Sequence, residues 1–242
     1  MTGLSEERKI ALITGGAKRV GRAIVARFAA DGWDVAFTFR HSQKPALQLQ
    51  SELAATGARI LPLNADFDRL DQTIAMLRER LIKWSPRLDL LVNNASAYAP
   101  DTKLSADAAM RANFVAPVRL IETFRGELTA ANGSVVNMLD VLAERPMPSF
   151  ANYSASKAAL WNATLSLART LSPAVRVNGI APGVVEWNDQ TAEADREAYV
   201  KKVPLKRIGT PEEVATLVKF LAVDATFITG QIIRIDGGRS LL

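Results

Sequence analysis

The chain has 242 residues, of which 48% are hydrophobic and 23% charged, which suits one soluble domain with a substantial core. It has no cysteine and one histidine, which excludes a disulfide framework, a thiolate site and a zinc site built from His and Cys; no metal is expected. The net charge of +5 comes without a block of five or six like charges, so small anionic ligands account for it and no nucleic-acid groove is expected.

In chain order, the N-terminal MTGLSEERK is polar and lacks the apolar core of a secretory signal, and no apolar run approaches a membrane span. The expected location is cytoplasmic, with no membrane partner. Lys9 to Thr14 reads as a buried strand. Val20, Ile24, Val25 and Phe28 follow at helical spacing until Asp31-Gly32. A strand is expected over Trp33 to Phe39, a helix over Ala46 to Thr56, and a strand over Ala58 to Leu63. Then come a helix over Leu70 to Trp84 and a strand over Leu88 to Asn93. Long helices over 104–131 and 150–172 flank a strand at Ser134 to Met138, and Ala174 to Ile180 is the sixth strand. Thr210-Pro211-Glu212-Glu213 opens a helix with a capping box, and Ile232 to Ile235 is the last strand. Alternating strands and helices demand a parallel sheet covered on both faces: an α/β, doubly wound Rossmann-type fold in a single domain over 1–242. Val184 to Val203 has no strand character and reads as a substrate lid, with Trp187 and Tyr199 as anchors.

Thr14-Gly15-Gly16-Ala17-Lys18-Arg19-Val20-Gly21 joins the first strand to the first helix. There a dinucleotide pyrophosphate meets a helix N-terminus; the other reading is a plain glycine-rich turn. The second strand ends in Arg40-His41-Ser42. An acidic residue there suits the ribose 2′-hydroxyl of NAD, whereas a basic one suits the 2′-phosphate of NADP; the alternative is a solvated cluster. Tyr153 and Lys157 lie four apart in a helix and share a face, where an ammonium can bring a phenol into useful acid–base range.

Thr14-Gly15 to Gly21, Asn93-Asn94-Ala95, Asn113, Tyr153 to Lys157 and Pro182-Gly183 together resemble the short-chain dehydrogenase/reductase family over nearly the whole chain. The resemblance implies a seven-stranded parallel sheet, a nicotinamide cofactor and hydride transfer. It implies Tyr153 as proton donor, Lys157 as modulator of its pKa and ribose ligand, and Asn113 as holder of a water in the proton path. Gly15, Lys18, Arg19, Val20, Asp66 (at adenine), Asn93, Ala95, Pro182 and Gly183 complete the cofactor set with Arg40, His41 and Ser42.

Three departures from the common pattern stand out. Arg19 replaces the middle glycine of the loop, Ser96 follows Asn93-Asn94-Ala95, and Asp140 stands where a serine precedes the tyrosine. All three are similar to the pteridine reductase branch. That implies NADPH-dependent reduction of a dihydropterin, with oxidised pterin and dihydrofolate open as further substrates. Arg19, Ser96, Tyr98, Asp140 and Tyr153 then form the substrate pocket, with Tyr98 stacking on the pterin. Asp140 as a strand-end cap and Tyr98 as a loop anchor are the plain alternatives. Competing functions are a ketone or 3-oxoacyl reductase of the same family, which Asp140 disfavours, and a non-catalytic NADP-binding regulator, which Asn113, Tyr153 and Lys157 disfavour. The resemblance also implies a homotetramer built on the two long helices, with the segment from Arg239 to Leu242 reaching a neighbour's site.

Overall fold

The computed structural model describes residues 8–188 and 191–241. Residues 1–7, Asp189 and Gln190 of the expected lid, and Leu242 lie outside the described residues. The strands are β1 (Ile10–Ile13), β2 (Asp34–Phe39), β3 (Ile60–Asn64), β4 (Leu90–Asn93), β5 (Ser134–Met138), β6 (Arg176–Pro182) and β7 (Ile232–Ile235). They form one seven-stranded parallel sheet in the order β3-β2-β1-β4-β5-β6-β7. The helices are α1 (Arg19–Ala30), α2 (Gln43–Leu53), α3 (Leu70–Trp84), α4 (Ala106–Met110), α5 (Ala116–Thr123), α6 (Arg125–Ala130), α7 (Ala151–Leu171), α8 (Glu193–Lys201) and α9 (Pro211–Lys219).

Strand β1 is apolar throughout because both of its faces are covered. Ala11 and Ile13 join a core with Ile24, Val25 and Phe28 of α1, Leu49 of α2 and Val218 of α9. Ile10 and Leu12 join the opposite core with Leu77 and Leu81 of α3, Leu120 of α5 and Leu171 of α7. Burying each such Phe, Ile or Leu is worth about 1.5–3 kcal/mol, so the two layers hold the sheet from both sides. The chain leaves β1 toward β2 and returns on the other side at β4. The loops after β1 and β4 therefore diverge and leave a crevice at the carboxyl end of the sheet.

The expected spans for α3, β5 and β7 coincide with the structure. Helix α2 begins earlier than expected, at Gln43, because Pro45 in a first turn needs no N–H partner. The single helix expected over 104–131 is instead α4, a π-helical turn at Arg111–Val115, α5 and α6. Pro117 is the cause within reach of sequence logic: it has no N–H for the carbonyl of Asn113 four residues earlier. The capping box of α9 forms, with the Thr210 hydroxyl accepting from the Glu213 N–H and the Glu213 carboxylate accepting from the Thr210 N–H. The segment expected to be a lid contains α8.

Candidate active site

The crevice is built by the two loops that diverge from β1 and β4. Thr14 Oγ1 accepts from the N–H groups of Asn94 and Ala95, each at 2.9 Å. The Asn94 amide donates to the carbonyls of Thr14 at 2.9 Å and Gly15 at 3.1 Å. Gly15 N–H donates to Thr38 Oγ1 at 3.0 Å. A Cβ on Gly21 would lie 2.0 Å from the Gly15 carbonyl oxygen, so the loop closes over α1 only with glycine there. Lys18 caps α1 without a side-chain acceptor, and the first turn carries no acid. The first N–H groups of α1 and the exposed Lys18 therefore present a donor set that suits a pyrophosphate. Val20 lies in the first turn of α1 and is half-buried. Thr38 carried no signal in the sequence, and Asn94 is visible only as the middle of its motif.

A second donor set lies at the end of β2. Arg40 and His41 are exposed, and Ser42 heads α2 with no side-chain cap and no acid in the first turn. Arg40 is not alone. Its guanidinium pairs with Asp66 at 3.0 Å and with Asp68 at 2.6 Å. Asp66 also accepts from the Asp68 N–H, capping the short turn at Phe67–Arg69.

The proton-transfer group sits at the ends of β4 and β5 and on α7. Tyr153 and Lys157, one turn apart on α7, are both buried, at 4% and 2% exposure. The Tyr153 hydroxyl donates to Asp140 Oδ2 at 2.7 Å, and Asp140 Oδ1 accepts from the Leu142 N–H at 2.9 Å. Lys157 Nζ donates to the Met138 carbonyl at 2.8 Å, which anchors it to the end of β5. Burial raises the pKa of Asp140, against the pull of Leu142, Tyr153 and Lys157. Burial and then the Asp140 charge raise Tyr153 well above the usual tyrosine value, although a Ser96 hydrogen bond opposes this. Burial lowers Lys157 to about 8, and Asp140 holds it up against a larger fall. The expected lowering of Tyr153 is thus not found: desolvation and the adjacent carboxylate raise its pKa and keep the phenol protonated.

Asn113 lies in the π-helical turn and is fully buried. Its Oδ1 accepts from Ser96 Oγ at 3.1 Å and the Ala97 N–H at 2.8 Å. Its Nδ2 donates to the Ala97 carbonyl and to Ser156 Oγ, each at 2.9 Å. The side chain is saturated and clamps the β4 loop to α7. What Pro117 leaves without an α-helical partner is the Asn113 backbone carbonyl. Asn93 donates to Asn137 at 2.8 Å, and its own buried Oδ1 has no hydrogen-bond partner among the described residues.

On the substrate side, Tyr98 is 54% exposed. Phe150 stacks on it at 5.0 Å, and the Tyr153 ring meets it nearly edge-on at 4.8 Å. Sequence reasoning missed Phe150, which lies just before α7. Arg19 has φ +53°, the left-handed region in which glycine is the relaxed residue. Its side chain reaches Glu186, donating from Nε to the carboxylate at 3.1 Å and from Nη2 to the carbonyl at 2.9 Å. Glu186 was not singled out in the sequence. Pro182 ends β6, and the Gly183 N–H donates to the Ile235 carbonyl at 3.0 Å. Tyr199 of α8 accepts from the Val184 N–H at 2.9 Å and packs against Trp187 at 5.6 Å. The described part of the lid is thereby tied to the loop after β6.

Residues 15–240 match the family model described as enoyl-(acyl carrier protein) reductase. The chain belongs to the short-chain dehydrogenase/reductase family. It is an oxidoreductase of that family, which works with a nicotinamide dinucleotide. The chain is 33% identical to a 3-oxoacyl-[acyl-carrier-protein] reductase of Synechocystis sp., over 98% of each chain. It is 32% identical to pteridine reductase 1 of Leishmania tarentolae, over 96% of each. Among solved structures it resembles a blue fluorescent protein from a metagenomic library in complex with NADPH. That likeness has a TM-score of 0.88 and 33% identity, covering 96% of this chain and 97% of the other. As a short-chain dehydrogenase/reductase, the protein keeps its crevice at the topological switch point and its tyrosine and lysine on α7. Among the described residues no helix is long and apolar enough to cross a membrane.

Proposed function

We propose that this chain is an NADPH-dependent reductase of a pterin ring, converting a dihydropterin to its tetrahydro form. The observation that carries the reading is the 2.7 Å hydrogen bond from Tyr153 to the carboxylate of Asp140. A carboxylate beside the proton donor suits a substrate that presents ring N–H and amino donors. It repels the oxyanion that develops when a ketone is reduced. Asp140, Tyr153, Lys157 and Asn113 are the catalytic group in this reading. The donors on α1, with Gly15, Lys18, Arg19 and Val20, hold the pyrophosphate. Arg40, His41 and Ser42 hold the 2′-phosphate, and Asp66 the adenine. Asn93, Ala95, Pro182 and Gly183 line the nicotinamide side.

When bound, the reduced nicotinamide supplies hydride to the carbon of a ring C=N. Tyr153 gives its hydroxyl proton to the ring nitrogen, so the C=N becomes CH–NH. The phenolate left behind is stabilised by the nearby Ser96 hydroxyl and the Lys157 ammonium, until a proton returns through a water at the Asn113 carbonyl. Burial and the Asp140 charge keep the phenol protonated, so the proton that the ring nitrogen needs is held at Tyr153 before hydride transfer. Tyr98, braced by Phe150, offers a flat face to the pterin. The Leishmania tarentolae relative, named a pteridine reductase, supports the reading.

A second reading, reduction of a 3-oxoacyl thioester, is favoured by the similarity to 3-oxoacyl-[acyl-carrier-protein] reductases of Synechocystis sp. and Staphylococcus aureus, at 33% and 31% identity. NADPH oxidation with a panel of dihydropterins, dihydrofolate, simple ketones and a 3-oxoacyl thioester separates the two. Turnover of the thioester with none of any pterin overturns the first reading. The assembly we expect is a homotetramer, supported by the outer face of α7, where Leu165 is 40% exposed; light scattering measures it.

A further inference from the structure

The cation expected to meet the 2′-phosphate already has two anionic partners. Arg40 Nε lies 3.0 Å from Asp66 Oδ1, and Nη2 lies 2.6 Å from Asp68 Oδ2. The Asn64 amide fixes the Arg40 carbonyl at 2.9 Å, and the Asp68 N–H donates to Asp66 Oδ1 at 3.2 Å. The end of β2 and the turn after β3 thus hold three charged side chains in one cluster. All reach solvent, with Arg40, Asp66 and Asp68 side chains 48%, 34% and 47% exposed. One guanidinium and two carboxylates sum to a negative cluster. An incoming phosphate has to displace a carboxylate, whereas a ribose hydroxyl finds an acceptor in place.

The two carboxylates are not equivalent. Asp66 caps the turn at Phe67–Arg69, so its position is needed by the backbone. Among the described residues, the Asp68 carboxylate is engaged by Arg40. We propose that Asp68 is a cofactor-specificity residue: it competes with the ribose 2′-phosphate for Arg40 and thereby limits the preference for NADPH over NADH. The inference rests on the NADPH reading above. The exchange is feasible because an exposed ion pair is weak and screened by salt. The competitor keeps Arg40 neutralised when no cofactor is bound and weakens the hold on NADP⁺ after turnover.

The test is the dissociation constant of NADP⁺ and of NAD⁺, by titration calorimetry, for wild type, Asp68→Asn, Arg40→Gln and the double variant. Asp68→Asn is expected to tighten NADP⁺ by about two- to fivefold, the size of one exposed ion pair, without tightening NAD⁺, whose ribose hydroxyl loses an acceptor. In the Arg40→Gln background the gain should shrink, because the contested partner is gone. Asp68→Ser repeats the measurement without an amide. Unchanged or weaker NADP⁺ binding by Asp68→Asn overturns the proposal and makes Asp68 a splint that orients Arg40. A full gain that survives Arg40→Gln overturns it as well, since the charge then acts through space. The wild-type ratio of the two constants tests the NADPH reading separately: equal affinities remove that reading, while Asp68→Asn still decides the competition.

Discussion

Burial and charge act in opposite directions on Asp140 and Lys157 and in the same direction on Tyr153, and each effect has a measurable consequence. Tyr153→Phe removes the proton and its hydrogen bond but keeps the ring. NADP⁺ binding should stay near normal while kcat falls by about 10²–10⁴-fold, the usual worth of a positioned proton donor; a near-normal kcat makes Tyr153 a packing residue. Lys157, with a pKa near 8, is charged below that pH and neutral above it. The rate kcat/KM should therefore decline above about pH 8. The same group shapes stability with the opposite sign. Its folded pKa lies below the ordinary 10.5, so its burial cost is present below pH 8 and is relieved as pH rises toward 10.5. Asp140→Asn removes the charge that holds Lys157 up, so the basic limb of its rate profile should move to lower pH. Turnover should fall about tenfold to hundredfold, the worth of a hydrogen bond to a charged group. A profile that stays in place with unchanged turnover would make Asp140 only the cap of the Val141–Ala143 turn that its bond to Leu142 forms.

At the scale of elements, strongly periodic segments were legible and interrupted ones were not. The span of α3 could be read because Ile74, Leu77 and Leu81 repeat at helical spacing toward one core. The broken helix at 104–131 hid its break, because apolar spacing continues across it while the backbone at Asn113 and Pro117 changes its hydrogen bonding. Thr210→Ala removes one half of the α9 capping box and should cost about 1 kcal/mol in a denaturant melt, with cofactor affinity unchanged. Gly21→Ala is a different case. Its methyl has no place beside the Gly15 carbonyl, so the loop must move. Loss of NADP⁺ binding should accompany a lowered Tm, and a variant that binds NADP⁺ normally would show that the loop tolerates the shift.

For the whole molecule, fold class was legible because alternation of strand and helix leaves few parallel arrangements. The candidate site was legible only in pieces. Asp140, Tyr153 and Lys157 lie close enough in the chain to be read together. The partners Thr38, Glu186 and Phe150 carry no motif, and only folding places them. Arg19 and Glu186 lie 167 residues apart, and Arg40 and Asp68 are joined only when β3 pairs beside β2. Likewise the amide of Asn94 and the carbonyl of Thr14 are separated by 80 residues of chain. At synthesis rates of about 5–20 residues per second, the glycine loop leaves the ribosome about 4–16 s before the strand that braces it. During that interval β1 has β2 beside it but an open edge toward β4. A nascent chain stalled before Asn94 should therefore remain unable to retain a dinucleotide, and its unpaired β1 edge is the surface a chaperone would have to shield.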